Sequence, residues 1–454
     1  MNTLLQLCLN PALVAVILLC ILCIRKVNVL LAIIISTIVA GLVSGMHIQK
    51  IMDVFISGMG GNSETALSYI LLGAFAATMA HSGFTDVVSR KITEVVAGKK
   101  FVLLGILTLI AMASQNIVPI HIAFIPIIIP PLLKIMNKLK IDRRAVACVL
   151  AFGLKMPYIA IPAGFGLIFQ NLIADNMTQN GVQILRSEIW KSTFILGLGM
   201  LVGLLVAVFI TYRKPRIYED KQIANMSQSE GKFRKRHYVV ILAAIATFVV
   251  QLLTQSLPLG ALVGLGIIFS FGVIPQDKMD HMMNEGIYLM GYIAFVMLVA
   301  AGFASVLKET GAIDSLVNLV IGILPNNVIL TSLIILIIGL FITIGIGTSF
   351  GTIPILAVLF IPVCTHLGFN PQQIVVLLAA AAALGDAGSP ASDTTLGPTA
   401  GLNADGQHNH IFDTCIPTFL HYNIALIAFA LIGIWIFGSF KVNCAKNCTL
   451  LFLN

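Results

Sequence analysis

The sequence predicts an all-α polytopic membrane protein, an inverted structural repeat of about 10 transmembrane helices plus two re-entrant hairpins and two broken helices. Three observations carry this. Of 454 residues, 58% are hydrophobic and 10% charged, against roughly 45–50% and 25% in soluble domains. Several apolar stretches reach about 20 residues, enough for a helix to cross the hydrocarbon core, and the short alternating segments of a barrel are missing. The chain also resembles itself at one constant, ungapped shift: Phe75, Ala76, Gly83, Asp86, Pro126 and Pro162 recur as Phe303, Ala304, Gly311, Asp314, Pro354 and Pro390.

Threading the spans follows Lys and Arg, which favour cytoplasmic loops. With Arg25 and Lys26 inside, the N-terminus is expected outside, as the start of a retained first span and not of a cleaved signal, since the positive charge follows the apolar run. Spans at 11–24, 28–45 and 65–82 return the chain inside at Arg90, Lys91, Lys99 and Lys100. Residues 101–133, interrupted by ASQNIVP, are read as a hairpin entering and leaving from the cytoplasm. A single crossing would strand Lys134, Lys138, Lys140, Arg143 and Arg144 outside.

Spans at 145–173 and 192–212 lead to the most basic loop, and spans at 237–253, 259–274 and 286–306 follow. A second hairpin from outside occupies 329–366, then spans at 373–398 and 415–438 leave the C-terminus outside. This places 20 of the 27 Lys and Arg in the cytoplasm. Residues 1–212 form the first inverted repeat, 213–236 a cytoplasmic basic linker and 237–454 the second repeat. The net charge of +8 is thereby a topology signal, with the lipid bilayer and not nucleic acid as partner. The eight cysteines are scattered and read as packing residues, with Cys444 and Cys448 a pair that bridges only in an oxidising compartment.

Paired segments interrupted by Gly and Pro in an inverted repeat point to a secondary transporter with its site near the bilayer midplane. The interruptions are KMPYIAIPAGFG in the first half and GDAGSPASDTTLG in the second. An unwound helix frees carbonyls and helix ends for charged ligands, and only a protein-enclosed cavity tolerates such backbone. Asp386 and Asp393, with Ser389, Ser392, Thr394 and Thr395, supply the oxygen ligands a hard cation such as sodium requires. The hairpin tips add Thr348 and Ser349 on one side and Ser114, Gln115, Asn116 and His121 on the other. Lys155, matched to Ala383 by the repeat, either holds a substrate carboxylate or replaces a second cation, or else is a structural counter-charge to Asp386. His408 and His410 read as a solvated loop, with gating as the functional alternative. GFTDVVSRKITEVV and GAIDSLVNLVIG read as helices along the membrane surface. No phosphate-binding Gly loop, metal-ligand cluster or nucleophile constellation occurs, so the chain does not read as an enzyme or an ATP-driven pump, and no cofactor is expected beyond a coupling Na⁺ or H⁺.

GDAGSPASDTTLGPTAGLNADGQHNH, with the GTSFGT hairpin before it, resembles the sodium/proton antiporter family of NhaC type and its amino-acid-permease relatives, within the ion transporter superfamily. The resemblance implies a homodimer in a bacterial inner membrane, with a scaffold domain and an elevator-like transport domain. It carries the GD and SDTT elements onto Gly385, Asp386, Ser392, Asp393, Thr394 and Thr395, and the hairpin onto Thr348 and Ser349. Lys155 matches no motif of that family. Two functions follow as expectations: sodium/proton exchange at the carboxylates, or sodium- or proton-coupled import of an amino acid such as histidine. A channel is disfavoured, because an inverted repeat serves alternating access.

Overall fold

A computed structural model describes residues 10–25, 27–84, 87, 91, 99–116, 121–221, 234–254, 256–312, 327–346, 348–390 and 392–451. The two surface helices expected over 83–96 and 311–322, with Asp86 and Asp314, lie largely outside these residues. Every regular element described is helical. The first half contributes α1 (Pro11–Ile24), α2 (Val29–Val43), α3 (Ile48–Met59), α4 (Ser63–His81), α5 (Lys100–Asn116), α6 (His121–Lys138), α7 (Arg143–Ala160), α8 (Phe165–Gln179) and α9 (Arg186–Val206). The second contributes α10 (Lys235–Thr254), α11 (Leu257–Ser270), α12 (Met279–Glu309), α13 (Val328–Ile346), α14 (Ser349–His366), α15 (Pro371–Ala383), α16 (Asp393–Leu402) and α17 (Ile416–Leu451).

The duplication is visible in the helix boundaries. A shift of 228 residues, the separation of Lys155 and Ala383, carries the end of α4 onto the end of α12 and the starts of α5, α6 and α7 onto those of α13, α14 and α15. Packing then sorts the helices into two groups, each holding both members of its repeat pairs. An outer framework of α1–α4 with α10–α12 is held by close crossings. A Cβ on Gly286 of α12 would meet the Ala74 backbone at 2.2 Å, and one on Gly302 would meet the Phe55 carbonyl at 2.6 Å, the small-residue contact by which helices associate in lipid. The inner group is α5–α9 with α13–α17.

Within the inner group α7, α14 and α15 are buried on nearly all sides, as a helix apolar all round must be. By contrast α9 with the π turn Ala207–Thr211 that follows it, α10 and α17 expose Leu198, Phe209, Ile210, Leu253 and Trp435, a face suited to lipid. Among the described residues, five helical stretches are long and apolar enough to cross a membrane alone, and α7 with α8, bent by 45°, adds a sixth. The remaining apolar helices among these residues are shorter, at 10–17 residues.

The charged loops segregate to two ends as the threading requires. At the basic end Lys100 donates to the Arg213 carbonyl, Asn137 to Asp220, Arg143 to Asp405 and Arg216 to Asp413. At the opposite end Lys50 pairs with Glu309, Arg186 with Asp175, and Lys308 donates to the Gln179 carbonyl.

Between α7 and α8 the chain turns at Gly164, whose φ is +57° and whose added Cβ would lie 2.1 Å from the Asn116 carbonyl oxygen. Backbone therefore packs on backbone where the first hairpin arm meets the break. Gly164→Ala combines a left-handed strain with a clash neither chain can relieve, and should cost about 3 kcal/mol. Gly105→Ala, in α5 with nothing within 4 Å of its Cβ, should be neutral or stabilising by up to ~1 kcal/mol. Thermal unfolding of the two variants in detergent checks this, and equal midpoints would refute the contact.

Candidate functional site

The two broken helices meet at equivalent positions. α7 ends after Pro157, and residues 161–164 are non-helical before α8 resumes. α15 ends at Ala383, and the chain does not become helical again until Asp393. Lys155 on α7 reaches across to the second break. Its Nζ lies 2.5 Å from Asp386 Oδ2 and donates to the Ala383 carbonyl at 3.4 Å and the Tyr158 hydroxyl at 3.0 Å. Lys155 is fully buried and the Asp386 side chain 5% exposed. Two of these contacts, Lys155 with Ala383 and Tyr158 with Asp386, join residues related by the repeat shift itself.

Asp386 is ringed by donors from three elements. Oδ2 accepts from Ser349 at the N-terminus of α14 at 2.5 Å and from Tyr158 at 3.2 Å, while Oδ1 accepts from Ser392. The Ser392 hydroxyl also meets that of Thr394 at 2.8 Å. A buried carboxylate persists only with such compensation, since an unpaired charge in a low-dielectric interior is prohibitive. Beside the pair the rings of Tyr158, Phe169 and Phe350 stand 5.0–5.7 Å apart, with Phe165 and Tyr69 completing an apolar wall.

The remaining hydroxyls and the next helix shape the second break. Thr395 donates to the Ser389 and Ser392 carbonyls at 2.6 and 2.9 Å, and Ser389 donates to Ile344 O at 3.4 Å. Asn423 on α17 accepts from Gly385 N and donates to Ala387 O. At Gly388, φ is +121° and an added Cβ would meet Phe419 at 2.5 Å, so α17 presses on the unwound backbone. Thr348 stands at the N-cap position of α14 without a side-chain capping bond, and its carbonyl accepts from Thr352 at 2.6 Å. Asp393 opens α16; its side chain lies outside the described ones, as does that of His121, which opens α6.

The first hairpin places Ser114, Gln115 and Asn116 at the buried end of α5. Asn116 donates to Pro157 O at 3.1 Å and Ile161 O at 3.4 Å, and Gln170 on α8 to Ile159 O at 3.3 Å. The amide oxygens of Gln115, Asn116 and Gln170 are buried without a hydrogen-bond partner. These are acceptors open to a cation, an N–H group or water.

Three features escape sequence reading. Tyr158 was legible only through its repeat partner, Asp386. Gln170 carries no motif. His408, expected in a solvated loop, is buried, because the loop folds back under α7: Arg143 on α7 forks onto both Asp405 oxygens at 2.6 Å. A cavity of about 270 Å³ at the end away from the basic loops separates framework from inner group, lined among others by Asn62, Asn176, Gln179, Lys308 and Pro354.

Comparison with known proteins agrees with this architecture. A family model described as the Na⁺/H⁺ antiporter family matches residues 149–434, and a second Na⁺-H⁺ antiporter family model matches residues 10–96. The chain is 45% identical over 437 residues to an uncharacterized membrane protein of Vibrio parahaemolyticus, covering 93% of this chain and 99% of that one. It is 45% identical over 403 residues to the putative amino acid transporter YuiF of Bacillus subtilis, covering 86% and 91%. The Alcanivorax borkumensis YdaH transporter has the same overall fold, with TM-score 0.60 at 14% identity over 86% of this chain and 89% of that one. MtrF of Neisseria gonorrhoeae gives 0.53 at 15% over 84% and 83%. A family match over most of the chain, on a duplicated helical fold shared with transporters, makes this protein a secondary transporter and a member of the Na⁺/H⁺ antiporter family.

Proposed function

We propose that the protein exchanges a monovalent cation against protons, with Asp386 as the shared carboxylate. The observation that carries this is the Lys155–Asp386 pair at the crossing of both broken helices. A sodium ion entering the ring of Ser349, Ser392 and Asp386 oxygens must displace the Lys155 ammonium. Stripped of its counter-ion in a water-poor site, the ammonium persists only as the neutral amine, so its proton leaves. One cation in then means one proton out. Asp393, opening the helix directly after Ser392, is proposed as a second carboxylate for the same ion. Movement of the inner helix group against the framework, with the basic end cytoplasmic, supplies alternating access.

The chain's 45% identity to a putative amino acid transporter and the 270 Å³ cavity favour a second reading, import of an amino acid with the same cation. A bare ion needs no space of that size. Proteoliposomes carrying an internal pH dye and labelled amino acids outside separate the two. Solute-independent proton movement on adding Na⁺, lost in Asp386→Asn, supports exchange; Na⁺-dependent accumulation of one amino acid selects import. Neither response would refute both.

Sodium should also stabilise the folded protein, by about 2.7 kcal/mol at 100 times its dissociation constant. Asp393→Asn is expected to abolish the Na⁺-dependent thermal shift. A full shift in that variant removes Asp393 from the site.

A further inference from the structure

Beneath the second broken helix lies an unbroken row of groups that each donate and accept a hydrogen bond. His410, placed by the π turn His410–Cys415, has Nε2 2.9 Å from the Pro390 carbonyl in the break and Nδ1 2.8 Å from the Thr399 hydroxyl. Thr399 donates to Thr414 at 2.9 Å, and Thr414 meets His408 Nε2 at 2.7 Å. His408 is 3% exposed, and its Nδ1 has no hydrogen-bond partner.

We infer that His408, Thr414, Thr399 and His410 form a proton relay from the basic end of the molecule to the second broken helix. It rests on the proton-coupled reading above for its purpose, but not for its geometry. A carbonyl cannot donate, so His410 Nε2 carries hydrogen. Thr399 donates to Thr414, so the hydrogen of the Thr399–His410 contact belongs to His410 Nδ1, and Thr414 is left to donate to His408 Nε2, whose hydrogen then sits on Nδ1. The arrangement seen is therefore the proton-loaded one; in the neutral one every link is reversed, with the His408 hydrogen on Nε2 and both hydroxyls pointing back towards His410. A proton arriving at His408 Nδ1 drives one hop along each link. His408 is left neutral with hydrogen on Nδ1, both hydroxyls reverse, and His410 becomes imidazolium. One proton enters and one charge appears, now donating from Nε2 to Pro390 O as a charge-assisted bond. Cytoplasmic acidity thereby tightens the unwound segment that carries Asp386.

The ionisable groups around the relay are Asp142 and Arg143 on α7, Arg216 on the linker, Asp405 and Asp413 on the loop and turn, and Cys415, whose Sγ is 3.6 Å from His410 Nε2. Burial, aided by Arg143 and Arg216 against the opposing Asp413, pushes His408 down to about 4. That suits a group that passes a proton on and does not store it.

The test reads tautomers directly. Full-length protein with ¹⁵N-labelled histidine in lipid nanodiscs is titrated by NMR, with His408→Gln and His410→Gln for assignment. His408 should switch from Nε2–H to Nδ1–H as His410 gains its charge, and Thr399→Val should abolish the switch while Thr399→Ser keeps it. A His408 tautomer that stays fixed while wild-type His410 titrates overturns the relay, whatever the protein transports. Where transport in proteoliposomes depends on internal pH, Thr399→Val should flatten that dependence; an unchanged profile overturns the relay's part in coupling.

Discussion

Asp386→Asn should lose about 3–5 kcal/mol of stability, because it leaves the fully buried Lys155 ammonium without its counter-charge. Lys155→Met should lose a similar amount by stranding the carboxylate. Joining the two changes removes both charges, and replacing a buried pair by neutral groups is commonly neutral or stabilising. The double variant is therefore expected to recover expression and thermal stability to near wild type, with a coupling energy of about 3 kcal/mol in the cycle. Cation transport should stay absent in all three. A double variant no more stable than the singles would show that the charges act separately, and one that folds and still exchanges ions would remove the pair from the mechanism.

The second large effect belongs to the basic end. Arg143, with no exposed surface, binds Asp405 through two parallel hydrogen bonds, donates to Leu402 O and Asn137, and lies 4.3 Å from the Tyr218 ring. Arg143→Met leaves Asp405 unpaired under α7 and should cost about 3–5 kcal/mol, with Asp405→Asn in the same background restoring much of it. Burial alone would raise the Asp405 carboxyl, but the hydrogen bonds and charge of Arg143, with Gln407, hold it below its usual 3.8. A depressed folded-state value means that the contribution is complete above the unfolded value and is lost as pH falls through the folded one. Wild type should therefore keep this stability to below about pH 4, and the wild-type advantage over the double variant should shrink only there. An advantage that shrinks between pH 5 and 7 would assign the pH dependence to another group.

How far the sequence reached follows from the range of the forces involved. Partition between water and lipid acts on each stretch of about 20 residues separately, so composition and apolar run lengths were enough for the membrane class and the two hairpins. The duplication was legible because Gly, Asp and Pro positions repeat at one shift: the pairing of Pro162 with Pro390 located both breaks. GDAGSPASDTTLG read correctly as a broken helix, since Gly385, Gly388 and Pro390 deny it continuous helical hydrogen bonding. Asp386 stood out for the same local reason, as a carboxylate where apolar surroundings make one costly.

What Asp386 touches was decided only in three dimensions. Lys155 admitted two roles from sequence, ligand for a substrate or counter-charge, because sequence position carries no distance. The crossing of α7 over the second break puts its Nζ 2.5 Å from Asp386 and brings in Tyr158 and Ser349 from elements far apart in the chain. His408 shows the same limit from the other side. A GQHNH segment is polar and reads as solvated, yet Arg143 draws its loop inward and closes the hydrogen-bonded row to Pro390. Hydropathy and helix signals are summed along the chain, whereas a buried charge or a histidine tautomer is set by the few atoms folding brings within about 3 Å of it, and those come from packing alone.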